Sequence, residues 1–158
     1  MVPTADDVND DCLLSVRLLL VDDDEDFRES MAALLSYYGA DVTVASTARQ
    51  ARGLLQTRDF DLLLSDIEMP IEDGCALMAS IRAMCSSRAS RIHAAAMTAA
   101  CERHTAAARA AGFNRVIPKT LGMSDLVRVI CDLADSDRVA RGHQAPGAEP
   151  LPATLQLP

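Results

Sequence analysis

The fold is decided by residues 62–74, which read Leu-Leu-Leu-Ser-Asp-Ile-Glu-Met-Pro-Ile-Glu-Asp-Gly. The apolar run at residues 62–64 is typical of a strand buried on both faces, since a strand with one wet face alternates apolar and polar side chains. We expect the strand to end at Ser65 and Asp66, and Pro70 and Gly74 mark a loop before the next helix. The stretch therefore predicts a buried strand that leads, past a carboxylate, into a helix.

The same strand-then-helix unit recurs on both sides of this stretch. Predicted strands cover residues 17–21, 41–45, 62–66, 92–97 and 116–117. Helices follow them: one from Phe27 to Tyr38 that stops at Gly39, one capped by Ser46, one through Leu77 and Ile81, one over residues 101–111 closed by Gly112, and one over residues 124–134. Successive β-α units imply a doubly wound α/β fold, in which a parallel sheet has helices on both faces.

Length and composition indicate one globular domain with short tails. The chain has 158 residues, of which 49% are hydrophobic and 24% charged. We expect a domain over residues 16–135, with a flexible acidic tail at residues 1–15 and a Pro-rich flexible tail at residues 136–158. The net charge of −8 argues against direct nucleic-acid binding. No apolar run approaches the ~20 residues that cross a membrane, and we expect a monomer or weak dimer.

The cysteines and the N-terminus favour a reducing compartment. The five cysteines are an odd number and include no C-x-x-C pair, so we expect them to be small buried thiols. The first eleven residues contain no Lys or Arg, which argues against a secretory address. The sequence therefore predicts a cytoplasmic protein.

Polar side chains follow the ends of four predicted strands. Asp22 and Asp23 follow the first strand, Asp66 ends the third, Thr98 follows the fourth and Lys119 follows the fifth. Ligands of open α/β sheets bind at this carboxyl edge. Crowded carboxylates repel unless a cation compensates, and Mg²⁺ is a hard ion that accepts carboxylate and phosphoryl oxygens. An aspartate beside such an ion can attack phosphorus, so the set predicts a phosphoaspartate site.

Lys119 supports this interpretation independently. It is the only lysine among the fifteen cationic residues. A solvated surface cation would be expected to be Arg in this chain, so the exception favours a compact point charge at this position, and the alternative is chance. By contrast, His93 and His104 have no partner at ligand or triad spacing, and we expect them to be structural or exposed.

The order and spacing of these motifs resemble the receiver domain of two-component response regulators. The most specific part is the Asp-x-x-Met-Pro-x-x-Asp-Gly stretch that begins at Asp66, and the resemblance covers residues 16–135. The other matching motifs are Val21-Asp22-Asp23-Asp24, Ala96-Met97-Thr98-Ala99, Ala111-Gly112-Phe113 and Pro118-Lys119. The resemblance implies a flavodoxin-like (βα)5 fold with parallel strands in the order 2-1-3-4-5.

The resemblance also implies a chemistry for each site residue. Asp66 would accept a phosphoryl group from a phosphohistidine on a histidine kinase or histidine phosphotransfer protein. The implied Mg²⁺ ligands are Asp22, Asp23, Asp66 and the backbone carbonyl of Glu68, and the groups that bind phosphoryl oxygens are Thr98 and Lys119. The domain would not be an enzyme beyond assisting its own phosphorylation and dephosphorylation, and it would signal through a downstream protein partner. The local sequence also looks like receivers of hybrid kinases.

Two departures from the family pattern concern how the signal spreads. Thr120, and not Pro, follows Lys119, while Pro118 precedes it. Val116 stands where many members have an aromatic side chain that moves with the threonine. Because valine is short and stiff at χ1, we expect phosphorylation to shift the face of the fourth helix, fifth strand and fifth helix only modestly.

Two alternative functions stay open at this point. The first is a receiver fold kept only for protein binding, without phosphorylation. The second is a small phosphohydrolase of the haloacid-dehalogenase type, which also opens with a strand and an Asp-x-Asp motif, here Asp22 and Asp24. That class needs further acidic motifs after later strands, and the acids after Thr98 do not follow strands.

Overall fold

Strands and helices alternate throughout residues 10–85 and 88–142, the part of the chain that the computed structural model describes. In chain order they are β1 (Arg17–Val21), α1 (Glu25–Tyr37), β2 (Asp41–Ala45), α2 (Ala48–Thr57), β3 (Leu62–Asp66), α3 (Gly74–Arg82), β4 (His93–Thr98), α4 (Cys101–Ala111), β5 (Arg115–Pro118) and α5 (Met123–Ala140). All strand pairs are parallel and the sheet order is β2-β1-β3-β4-β5. The predicted fold class and strand order are confirmed.

Each central strand contributes side chains to two separate cores. Leu18 and Leu20 of β1 pack on the side of α1 and α5. Leu19 and Val21 pack on the other side, against α2, α3 and α4. All of these side chains are completely buried, and burial of each stabilises the fold by about 1.5–3 kcal/mol. Continuous apolar runs such as residues 18–21 are therefore required, since both faces of the sheet are covered.

The strand register brings the carboxyl ends of β1, β3, β4 and β5 to one edge. Val21 of β1 lies opposite Ser65 of β3, which places Asp22 and Asp66 at neighbouring strand ends. At the other side of the site, Thr98 of β4 lies opposite Pro118 of β5. The backbone N–H of Lys119 donates to the carbonyl of Thr98 at 2.9 Å. The positions of the site residues thus follow from the sheet ladder.

The helix caps agree with the sequence in two places and differ in one. Gly39 and Gly112 have φ of 95° and 113°, as expected for the left-handed residues that end helices. The predicted cap of α2 is wrong by one residue: the side chain of Thr47, and not of Ser46, accepts from the N–H of Gln50. Ser46 instead donates its own N–H to the Gln50 side chain at 2.9 Å.

The last helix is longer than predicted and extends beyond the expected domain end at residue 135. It runs from Met123 to Ala140, because Asp137 takes the next core-facing position after Ala134. This aspartate is only 5% exposed, and its carboxylate binds His93 at 3.0 Å and Arg141 at 2.9 Å. The hydrophobic pattern stops where an ion pair replaces an apolar contact, which is why the prediction ended too early.

The predicted N-terminal tail also differs from the structure. Residues 10–15 form a turn, and Leu13 is completely buried in the core on the α1 and α5 side. Its N–H donates to the carbonyl of Tyr38 at 3.1 Å. The expected tail residues 1–9 and 143–158 lie outside the described residues.

The expectation that every cysteine is a free thiol is wrong for one pair. A disulfide joins Cys12 to Cys131 of α5. The two cysteines are 119 residues apart in sequence, so only the folded arrangement of the turn against α5 shows that they meet. Cys75 is half-buried and Cys85 is exposed, and both are free.

Gly74, the first residue of α3, lies directly against the end of β3. A Cβ at this position would stand 2.2 Å from the carbonyl oxygen of Asp66 and 2.9 Å from the Cα of Ile67. Its N–H also donates to the carbonyl of Ile67 at 2.8 Å. Only a glycine allows α3 to begin so close to the strand end that carries Asp66.

We expect Gly74→Ala to destabilise the protein by about 1–3 kcal/mol, because the backbone of β3 or α3 must move to admit the methyl group. Gly53→Ala is the matched control, since nothing lies within 4 Å of a Cβ at that position in α2. The control should stabilise the protein by about 0.5–1 kcal/mol through its higher helix propensity. Urea unfolding of both variants measures the difference, and equal effects would contradict the close approach at Gly74.

Candidate functional site

Three carboxylates meet at the carboxyl edge of the sheet. Asp22 is completely buried, Asp66 is 4% exposed and Asp23 is exposed. Each offers an oxygen, and these oxygens lie within 4.8 Å of one another. Among the described residues, this is the group of acidic side chains whose oxygens are close enough together to hold a metal ion. A set of carboxylate oxygens with one open side suits Mg²⁺, which takes one or two carboxylates and keeps waters.

Lys119 lies between the two buried carboxylates. Its Nζ donates to Asp22 Oδ2 at 2.9 Å and is 3.4 Å from Asp66 Oδ2. The ammonium also lies 4.5 Å from the ring centroid of Phe27, which adds a cation–π contact. Burial by itself lowers the pKa of Lys119, but the hydrogen bond to Asp22 and the charge of Asp66 outweigh it, so the net shift is upward. Lys119 therefore remains a cation.

Burial raises the pKa of Asp66 to about 6. The charge of Lys119 opposes this shift, whereas the charge of Asp22 adds to it. The N–H of Glu68 donates to Asp66 Oδ1 at 3.2 Å, which also favours the carboxylate. Above pH 6 Asp66 is a desolvated anion held next to one cation, which is a suitable state for a nucleophile.

Asp22 is held in place by hydrogen bonds from the turn after β1 and from α1. Its Oδ1 accepts the N–H of Asp24 at 2.9 Å, and its backbone carbonyl accepts from Arg28 at 2.7 Å. Asp24 itself is the N-cap of α1, and its side chain accepts the N–H of Phe27 at 3.0 Å. Within the acidic run, Asp22 and Asp23 therefore lie at the site, whereas Asp24 caps the helix.

Thr98 lies at the end of β4 and is completely buried. Its hydroxyl oxygen accepts the N–H of Ala100 at 3.0 Å and lies 2.8 Å from Nδ1 of His104. The other ring nitrogen, Nε2, is 3.5 Å from Oε1 of Glu68. The expectation that His104 has no partner is therefore wrong, since its ring contacts both Thr98 and Glu68. The available signal was its place in the first turn of α4, just beyond the strand end that carries Thr98.

Glu68, the predicted carbonyl ligand, follows Asp66 by two residues and is exposed. Its side chain contacts His104 and lies 3.5 Å from Arg103. The structure therefore brings together all the predicted site residues: Asp22, Asp23, Asp66, Glu68, Thr98 and Lys119.

A family model for the response regulator receiver domain matches residues 18–131. This chain belongs to that family. It is 36% identical over 119 residues to an uncharacterized 14.6 kDa protein of Leptolyngbya boryana, which covers 75% of this chain and 89% of that protein. It is 33% identical over 112 residues to a response regulator receiver protein of Anaeromyxobacter sp. (strain Fw109-5), covering 68% of this chain and 44% of that one.

One solved receiver domain that matches this structure was determined with a metal ion. The receiver domain of sensor histidine kinase PA1611 from Pseudomonas aeruginosa PAO1 has a magnesium ion coordinated in its active-site cleft. It is 25% identical with a TM-score of 0.70, and the match covers 77% of this chain and 98% of that domain. The predicted resemblance to receiver domains of two-component systems is confirmed. Within the described part of this receiver domain, none of the helices is long and apolar enough to span a membrane.

We expect Asp66→Asn to stabilise the metal-free receiver domain at neutral pH. The pKa of Asp66 is raised from 3.8 to about 6, so the folded state binds more protons than the unfolded state between these values and stability falls as pH rises through them. Asparagine does not ionise and therefore avoids this loss. The free energy of unfolding of the variant should exceed that of wild type by an amount that grows from pH 4 to pH 7 and reaches about 3 kcal/mol. Urea unfolding in EDTA measures the gain.

Asp132→Asn is the control for this change, because Asp132 is exposed on α5. The control should track wild type across the same pH range. A gain for Asp66→Asn that is independent of pH would contradict the raised pKa.

Proposed function

We propose that this receiver domain accepts a phosphoryl group on Asp66 and passes the signal to a protein partner. The observation that carries the proposal is the buried carboxylate of Asp66, paired with Lys119 and next to Asp22 and Asp23 in a chain of the receiver family. A carboxylate oxygen of Asp66 attacks phosphorus, the bond from phosphorus to the donor histidine breaks, and the imidazole leaves. The product is an aspartyl phosphate, which water later hydrolyses.

The side chains around Asp66 each have a distinct part in this reaction. Lys119 loses its contact with the Asp66 carboxylate and pairs with a phosphoryl oxygen, while the Thr98 hydroxyl can donate to another. The ligands of Mg²⁺ would be Asp22, Asp23, Asp66 and the carbonyl of Glu68. Bound there, the metal would supply neutralisation of the charge on the phosphoryl oxygens.

The proposal includes the donor and the compartment. The donor would be a histidine kinase or histidine phosphotransfer protein, consistent with the similarity to the receiver domain of a sensor histidine kinase. The domain would act on no substrate other than its own phosphoryl group and would work as a monomer or weak dimer. The compartment would be the cytoplasm, where thiol buffers act to reduce a disulfide such as Cys12–Cys131.

The alternatives from the sequence have less support. A receiver fold kept only for binding has no need of a buried Asp66 paired with Lys119, whereas this chain has both. The phosphohydrolase interpretation requires Asp24 to act at the site, but its side chain caps α1.

Incubation with acetyl phosphate and Mg²⁺ should add one acid-stable, base-labile phosphate, and Asp66→Asn should remove it because the nucleophile is lost. Excess EDTA should also abolish labelling, since charge on the phosphoryl oxygens is then uncompensated. Intact-protein mass spectrometry measures the phosphate. Glu29→Gln, an exposed change on α1 with the same loss of charge, should label like wild type. Full labelling of Asp66→Asn would refute the assignment.

We expect Lys119→Arg to keep the fold but to lose signal transmission. A planar guanidinium does not place a point charge at both Asp22 and Asp66, which Nζ reaches at 2.9 and 3.4 Å. The measurement is the change in amide chemical shifts of α4 and β5 on adding beryllofluoride, a mimic of the phosphoryl group. Arg109→Lys, on the exposed side of α4, is the control and should respond like wild type. A wild-type response from Lys119→Arg would show that the lysine is there by chance.

A further inference from the structure

The hydroxyl of Thr98 is held by His104 in this structure. The two atoms, Thr98 Oγ1 and His104 Nδ1, are 2.8 Å apart. The hydroxyl oxygen also accepts the N–H of Ala100 at 3.0 Å. A hydroxyl has one proton to donate, so whether that proton faces His104 decides whether it is available to any other acceptor.

The position of Glu68 favours one tautomer of the neutral imidazole. Nε2 of His104 faces the Glu68 carboxylate at 3.5 Å, and a neighbouring carboxylate keeps the proton on the ring nitrogen that faces it. In this tautomer, with the proton on Nε2, Nδ1 is unprotonated and can only accept. The Thr98 hydroxyl therefore donates to His104, and the chain of contacts runs from Thr98 through His104 to Glu68.

We propose that His104 is a positioning residue that holds the Thr98 hydroxyl away from the phosphoryl site until Asp66 is phosphorylated. This inference rests on the proposed function, in which a phosphoryl oxygen competes for the same proton. When the hydroxyl turns to the phosphoryl oxygen, His104 loses its partner on β4. Phosphorylation thus replaces the hydrogen bond from Thr98 to His104 with one from Thr98 to the phosphoryl oxygen. The first turn of α4, which contains His104, loses a contact with β4.

The packing of α4 makes this loss significant. Among the α4 side chains that the structure describes, only that of Ala108 is fully buried, so apolar packing holds this helix at few points. Arg103 contacts Glu68 from a largely exposed position, with 76% of its side chain accessible, and contributes little. The bond from His104 to Thr98 is therefore a principal side-chain link between the first turn of α4 and the sheet. It gives this receiver domain a polar connection from Thr98 to α4, where Val116 offers no aromatic side chain.

The test measures the affinity of beryllofluoride, with Mg²⁺ present, for the whole chain and its variants. His104→Leu removes the competing acceptor and should tighten binding about three- to tenfold, the range expected for the loss of one net hydrogen bond. His104→Asn should bind like wild type, because its carboxamide oxygen can accept close to the position of Nδ1. Arg103→Ala should also bind like wild type, since Arg103 contacts Glu68 and not Thr98.

A double-mutant cycle separates positioning from a general effect on the fold. In a Thr98→Val background no hydroxyl remains to be held, so His104→Leu should leave beryllofluoride affinity unchanged. An equal effect of His104→Leu with and without the hydroxyl would overturn the proposal.

Imidazole ¹⁵N chemical shifts of the wild-type chain give a second readout that needs no stable variant. His104 should show an unprotonated Nδ1 that loses its hydrogen bond when beryllofluoride is added, and amide shifts should change in the first turn of α4. A protonated Nδ1, or no change at His104 on addition, would overturn the inference while leaving the proposed function intact. Failure of the wild-type chain to bind beryllofluoride would instead remove the proposed function itself.

Discussion

The ammonium of Lys119 is what allows two buried carboxylates to share one edge of the sheet. Without it, Asp22 and Asp66 would be two like charges removed from water with no cation between them, an arrangement that destabilises the fold. With it, Asp22 accepts a hydrogen bond at 2.9 Å and Asp66 remains close to the same cation. The ladder between β4 and β5 positions Lys119, so the sheet and the charge balance depend on one another.

The same edge joins three separate elements through short polar contacts. Asp66 accepts from the N–H of Glu68, the side chain of Glu68 faces His104, and His104 holds the hydroxyl of Thr98. The contacts link β3, the loop after it, α4 and β4 in a closed path. In the proposed switch, a change at Asp66 would reach His104 of α4 by two routes, through the loop and through Thr98.

The sequence was sufficient for features that depend on periodicity and strand ends. Continuous apolar runs such as Leu62–Leu64 identified strands buried on both faces, and the acids that follow them marked the site. Features that depend on polar pairs across the fold were missed. Asp137 occupies a core-facing position because it contacts the His93 ring and pairs with the charge of Arg141. His104 meets Thr98 because α4 starts beside the end of β4. Leu13 and Cys12 were assigned to a tail, since a short turn gives no periodic signal and its contacts lie on a distant helix.

The turn at residues 10–15 and the end of α5 lie next to each other, because Arg138 donates to the carbonyls of Cys12 and Leu14 at 3.3 and 2.9 Å. They meet beside the start of β1, whereas Asp66 lies at the opposite ends of the strands. The two ends of the described region are therefore close together and remote from the carboxylate of Asp66. Such an arrangement suits circular permutation: a short linker could join residue 142 to residue 10, and new ends could be opened in an exposed loop without disturbing the carboxyl edge of the sheet.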